Sequence, residues 1–197
     1  VRRMGFRLLP VDVNHSEPEY TVEGNALRVG LGQMADIARS FIEKLIRERG
    51  NRGPFRDFFD VLGRTGPGPA EIGVLIRSGA LDGVAAGRTR PELFFQYYQR
   101  EKLERDFFPS RLPSFLRDYP PRIKLRDELA TLGLIVSRHP LSIFTSRIAA
   151  LARRQPGLPL ITSRLLGAHR GRRVALAGTL VTGKEVHTCR KKSMMFV

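Results

Sequence analysis

The chain has 197 residues, 42% hydrophobic and 27% charged, with one cysteine and no tryptophan. That balance excludes a disordered chain, no apolar run approaches the ~20 residues of a membrane-spanning helix, and a single cysteine excludes a disulfide framework or a multi-cysteine zinc site. The formal charge is +15, and residues 151–197 hold ten basic residues against one acid, Glu185, so more than half of the excess sits in the last quarter. Arginine outnumbers lysine 28 to 6. Guanidinium grips phosphate in a bidentate way, and clustered positive charge suits a phosphate backbone; the alternative is a solubilising surface. The start, VRRMGFRLLPVDVN, has no signal-peptide core, so a cytoplasmic protein is expected.

Residues 1–30 predict irregular chain with a small hairpin, Tyr20-Thr21-Val22 and Leu27-Arg28-Val29 around a Gly24-Asn25 turn. Ile37, Phe41 and Leu45, with Ile42 and Ile46 beside them, predict a helix that stops at Gly50 after Arg47 and Arg49. Phe55 to Leu62 predicts a short helix. TGPGP at 65–69 predicts a loop, and Pro69 opens a helix with Ile72, Leu75 and Ile76 on one face and Gly79 at its end. Gly83 to Gly87 predicts a turn. Thr89 is a candidate N-cap, with Pro91 in the first turn and Glu92 at N3 approximating a capping box, for a helix running to about Phe107. Pro109, Pro113, Pro120 and Pro121 interrupt the next stretch of chain, and two helices fit 122–136 and 141–154. Val174 to Thr182 alternates like a strand that is apolar on both faces, Gly183 to Lys192 predicts a basic turn, and Met194 to Val197 begins a second strand. Half a hairpin leaves an exposed apolar edge, so the chain is expected to be a segment of a longer protein.

The chemistry of an enzyme is missing. There is no Asp-x-Asp pair, no phosphate loop and no nucleophile elbow. Asp57 and Asp60 fit the solvated face of a short helix. The histidines at 15, 139, 169 and 187 lack metal-ligand spacing, and Cys189 has basic neighbours without an orienting partner. No catalytic residue, metal or cofactor is therefore expected in this chain. The positive signal is a pair of glycine-bearing turns beside helices, GLGQMADIA at 30–38 and IRSGALDGVAAGRTRPEL at 76–93. Such turns can aim backbone N–H groups at a phosphate without reading a base.

LLPVDVNHSE (8–17), RVGLGQM (28–34), GPFRDFFDVL (53–62), LIRSGALD (75–82), LGLIVSRHPL (132–141), RVALAGTLV (173–181) and RKKSMMFV (190–197) follow one another in an order that resembles the bacterial DNA polymerase III alpha subunit family. The resemblance covers nearly the whole chain and includes the error-prone relatives. It implies a mainly α fold: the end of the fingers region at 1–29, a tandem helix-hairpin-helix DNA-binding domain at 30–108, a helical linker at 109–168 and the truncated start of an OB-fold at 169–197. It implies a segment of a DNA-directed DNA polymerase that holds duplex DNA, with magnesium and catalytic aspartates belonging to the full-length enzyme. The competing class is a stand-alone helix-hairpin-helix and OB-type module.

Two departures from the family shape the expected sites. Asp36-Ile37-Ala38 stands where the family carries Gly-x-Gly, and the added carboxylate argues against close phosphate approach. DNA contact is therefore expected at the second hairpin, through Gly79, Leu81, Gly83, Arg88 and Arg90, with Arg190, Lys191 and Lys192 as a further site for single strands. Glu104-Arg105-Asp106-Phe107-Phe108 is similar to the family's sliding-clamp pentapeptide, with Glu in place of Gln, so Glu104, Asp106, Phe107 and Phe108 are the expected clamp contacts; packing at a helix end is the alternative for the two rings.

Overall fold

The computed structural model describes residues 6–103, 116–155, 157–178, 184–187 and 193–196. The chain divides into two compact units, 1–138 and 139–197.

The first unit opens on a three-stranded sheet, β1 (Arg7–Leu9), β2 (Thr21–Glu23) and β3 (Ala26–Arg28). β3 lies in the middle, antiparallel to β2 and parallel to β1, with Leu8 opposite Leu27. Gly24, at φ 57°, makes the tight turn between β2 and β3. The segment between β1 and β2 is braced by its own polar side chains. Asp12 Oδ1 accepts from the Asn14 N–H at 2.7 Å, and the Ser16 hydroxyl donates to the Val29 carbonyl at 2.8 Å. Asn14 pairs with both backbone groups of Phe55, accepting from its N–H at 2.7 Å and donating to its carbonyl at 2.8 Å. The DVNHS run is thus a knot that ties the sheet to the helices.

The helices are α1 (Arg39–Arg52), α2 (Phe58–Thr65), α3 (Pro69–Ser78), α4 (Arg90–Leu103) and α5 (Pro121–Leu132). α1 runs through Gly50 and ends at Gly53, at φ 77°, which corrects the expected stop. Phe41, Ile42 and Leu45 bury its inner face, and Arg49 donates to the carbonyls of Val13 and Ser16 at 3.1 and 2.8 Å, so its last turns are held from the side. Asp57 caps α2 by accepting from the Asp60 N–H at 2.9 Å. Proline at the first position and a left-handed glycine at the end delimit α3 and α5, with Gly79 and Gly133 as the glycines. α5 stops at Leu132, short of the expected 136.

One core joins these elements. Phe58, Ile72, Leu75, Ile76, Leu81 and Leu93 are fully buried, with Leu31, Leu45 and Leu132 among them. α3 is its centre, packed against both α4 and α5.

The second unit is built differently. It holds a 3₁₀ turn at Pro140–Phe144, α6 (Thr145–Arg153), a second 3₁₀ segment at Ser163–His169 and a hairpin of β4 (Lys184–His187) and β5 (Ser193–Phe196). β4 and β5 are antiparallel, with Lys184 opposite Phe196. Three expectations change here. The expected helix over 141–154 is split by the proline-led 3₁₀ turn, and the alternating run from Val174 is not a strand over 174–178, where a single bridge joins Ala175 to Leu160. Residues 184–187, expected within a turn, form the strand instead. No described side chain of 139–178 is fully buried.

Candidate nucleic-acid interface

The same local order recurs twice in the first unit: a 3₁₀ turn, a turn at positive φ, two residues outside regular structure and a helix. In the first hairpin these are Leu31–Gln33, Asp36 at φ 60°, Ile37-Ala38 and α1. In the second they are Asp82–Val84, Gly87 at φ 80° with Ala86 before it also at positive φ, 51°, then Arg88-Thr89 and α4. The chemistry at the two helix starts is opposite.

At the second hairpin the backbone donors of Arg88, Thr89 and Glu92 are occupied by the protein itself, and only those of Ala86 and Gly87 ahead of them lack a hydrogen-bond partner among the described residues. The Arg88 N–H donates to the Ala85 carbonyl at 3.0 Å. The Thr89 N–H donates to Glu92 Oε2 at 2.8 Å and the Glu92 N–H to the Thr89 hydroxyl at 3.4 Å, a complete capping box. Residue 91 is proline. At Asp118 burial pushes the carboxyl up, but the Lys124 ammonium and the Tyr119 N–H, with a smaller contribution from the Arg90 backbone, outweigh that and hold it below the usual aspartate value.

The side chains there are also engaged. Arg90 is 5% exposed. Its Nε and Nη2 donate to the two oxygens of Asp82 at 3.1 and 2.7 Å, and its Nη1 donates to the Arg77 carbonyl at 2.9 Å. Gly79 makes this possible. It sits at φ 84°, and a Cβ there would collide with the Arg90 guanidinium. Leu81 is a fully buried core side chain. Gly83 lies on the 3₁₀ turn, where a Cβ would meet the Asp12 carboxylate. Arg88 is half-buried, 5.8 Å from the centre of the Phe59 ring. A cleft of about 530 Å³ opens beside the hairpin, lined by Asp12, Asp82, Arg90, Asp118 and Lys124 among others. Its acids and bases mostly pair with one another, and no metal-ligand cluster is found among the described residues.

At the first hairpin the donors are open. The Ala35 N–H is taken by the Thr131 carbonyl at 2.7 Å, and those of Phe41 and Ile42 by the Ala38 carbonyl. Between them, the N–H groups of 36–40 have no hydrogen-bond partner among the described residues. Ala38 offers no side-chain cap, and the first turn of α1 carries no acid. Residues 35, 36 and 38–40 are exposed. Arg39 pairs with Glu43 at 3.2 Å in full solvent, a contact of little strength. Sequence reading passed over this place because of Asp36, although Ala38 in a cap position ahead of Arg39-Ser40-Phe41 was a visible sign of an uncapped helix start.

Residues 5–91 match the helix-hairpin-helix motif. This helix-hairpin-helix region spans both hairpins. The chain is also similar to bacterial DNA polymerases: it is 36% identical to the error-prone DNA polymerase of Corynebacterium diphtheriae over 87 residues, 44% of this chain and 8% of the relative. It is 30% identical to the DNA polymerase III subunit alpha of Mycobacterium tuberculosis over 175 residues, 76% of the chain and 15% of the relative. It is 28% identical to the error-prone DNA polymerase of Teredinibacter turnerae over 197 residues, 93% of the chain and 18% of the relative. The chain therefore spans less than a fifth of the length of these relatives. The expected clamp contacts Glu104, Asp106, Phe107 and Phe108, and the basic Arg190, Lys191 and Lys192, lie outside the described residues. No helix among the described residues is long and apolar enough to cross a membrane.

Proposed function

We propose that this chain is a DNA-holding segment of a DNA polymerase III alpha-type enzyme, replicative or error-prone, and that its tandem hairpins position duplex DNA without chemistry of their own. The observation that carries the reading is the row of open N–H groups at 36–40, at the positive end of α1, inside a region that matches the helix-hairpin-helix motif. Phosphate oxygens accept from the amides of 37–40, just past the Asp36 carboxylate, and Arg39 exchanges its exposed carboxylate partner for phosphate. The second hairpin contributes Arg88 at its rim, while Arg90 holds the turn in shape. Backbone amides see phosphate and not base edges, so binding has little sequence preference. The net charge of +15 adds long-range attraction. In the same reading the β4–β5 hairpin belongs to an OB-type fold, Arg190 to Lys192 meet single-stranded template, and Glu104 to Phe108 meet a sliding clamp.

The test is duplex affinity as a function of salt, read by anisotropy of a labelled duplex. The double substitution Arg39→Glu and Ser40→Glu places acids where a helix start tolerates them, so the fold is kept. It should lower duplex affinity about tenfold or more and flatten the log–log salt slope by about 0.9 for each phosphate no longer neutralised. Unchanged duplex binding by this variant, with loss on Arg88→Glu instead, would move the DNA site back to the second hairpin.

A further inference from the structure

The second unit carries an open groove of about 810 Å³. Phe144, Ile148 and Leu151 line one wall, and Leu158, Leu160 and Leu176 line others. On α6 and the residue before it, Phe144, Ile148, Leu151 and Ala152 share one face at helical spacing, and all four border the groove. Phe144 is 46% exposed, Leu151 56% and Leu176 50%. A contiguous apolar surface of this kind marks a binding site more often than a monomer's own face. The charge around it has one sign. Residues 139–178 contain seven arginines and no Asp or Glu, and Arg147 and Arg154 border the groove itself.

We propose that this groove docks an acidic amphipathic helix from a partner protein. Its volume and aliphatic lining suit the apolar stripe of about two helical turns, read as anchors at i, i+3 or i+4 and i+7. Arg147 and Arg154 meet acids that flank the stripe. A single nucleic-acid strand fits less well, because bases stack on aromatic rings and Phe144 is the one aromatic among the described lining residues. A second copy of the chain fits less well, because it would bring a second arginine-rich, acid-free surface against the first. An apolar small molecule lacks converging polar groups to orient it. The groove belongs to the second unit and the residues proposed to hold duplex DNA to the first, so the groove and the duplex site stand or fall without one another.

The experiment uses the full chain and four labelled probes: a designed helical peptide with leucines at i, i+3, i+7 and glutamates beside them, its scrambled version, its lysine-for-glutamate version, and oligothymidine. The acidic amphipathic peptide should bind about tenfold or more tighter than the scrambled and lysine peptides. Leu151→Asp, at an exposed position that the fold does not depend on, should abolish that preference with little change in Tm. Arg147→Glu with Arg154→Glu should turn the preference toward the lysine peptide. Equal binding of the acidic and scrambled peptides would overturn the proposal, since it means attraction by charge alone. So would displacement of the acidic peptide by oligothymidine together with peptide binding that survives Leu151→Asp.

Discussion

Arg90 is the residue on which the second hairpin's shape depends. Its guanidinium satisfies the Arg77 carbonyl at the end of α3 and both oxygens of Asp82 in the turn, from inside the protein. Arg90→Met keeps much of the stem but leaves a carbonyl and a carboxylate without their donor. It should cost about 2–3 kcal/mol in urea unfolding, tempered from the full cost of a broken buried pair because Asp82 reaches solvent. Asp82→Asn, which keeps an acceptor, should cost less, about 1 kcal/mol. A loss below about 0.5 kcal/mol for Arg90→Met, on the order of a surface substitution, would mean that the bridge is incidental. Gly79→Ala acts on the same bridge from the other side. It strains a left-handed position by about 1–2 kcal/mol and displaces the guanidinium as well.

At the scale of elements, two glycines inside helices are unused freedom. Gly50 in α1 and Gly63 in α2 are exposed, and a Cβ at either meets open space. Alanine at each should raise stability by about 0.5–1 kcal/mol and lift Tm accordingly. The α2 start runs the other way: Asp57→Ala removes its cap and should cost about 1 kcal/mol. Asp60, in the first turn of α2, gives the helix an acid dependence. Burial pushes its carboxyl up, but the Arg56 N–H and the Arg64 guanidinium outweigh that and hold it below the ordinary aspartate value. A carboxyl lowered on folding contributes stability above the unfolded value of about 3.9 and loses it as pH falls through the lower folded value. Asp60→Asn should therefore be less stable at neutral pH, with a shallower fall on the acid side; identical acid limbs for the two proteins would remove Asp60 from the account. Elements of this kind were legible in the sequence wherever the signal is local: the Thr89–Glu92 box, Pro69 and Gly79 around α3, and Gly24 in its turn all act within a few residues. Gly50 misled because its propensity cost of about 1 kcal/mol is smaller than the burial of Phe41, Ile42 and Leu45. β1 was missed because three residues carry little pattern and its partner β3 comes from across a long connection. The alternation after Val174 has no ladder over 174–178 beyond the Leu160–Ala175 bridge, since alternation shows a face and not a neighbour. The engagement of Arg90 was illegible because a charge beside a turn looks the same whether it faces solvent or folds inward, and only the turn at Gly79 brings the Arg77 carbonyl and the Asp82 carboxylate onto its guanidinium.

For the molecule as a whole, the contrast between the two units sets where stability resides. α3 places Ile72, Leu75 and Ile76 at full burial, whereas no described side chain of 139–178 is fully buried. Amide exchange should therefore be slowest in α3 and faster by a factor of about 100 or more in α6, whose opening exposes little new surface. Equal protection of α3 and α6 would show that the second unit draws its stability from elsewhere. The tyrosines follow the same division. There is no tryptophan, and the four tyrosines, at 20, 97, 98 and 119, all belong to the first unit. Tyr97 donates to the Pro67 carbonyl at 2.9 Å, and its ring lies 5.3 Å from that of Tyr98. Intrinsic tyrosine emission is thus a local gauge: it registers the melting of α4 away from the loop before α3, while the second unit has no tyrosine or tryptophan of its own, so an optical assay that reads that unit directly has to bring its own fluorophore.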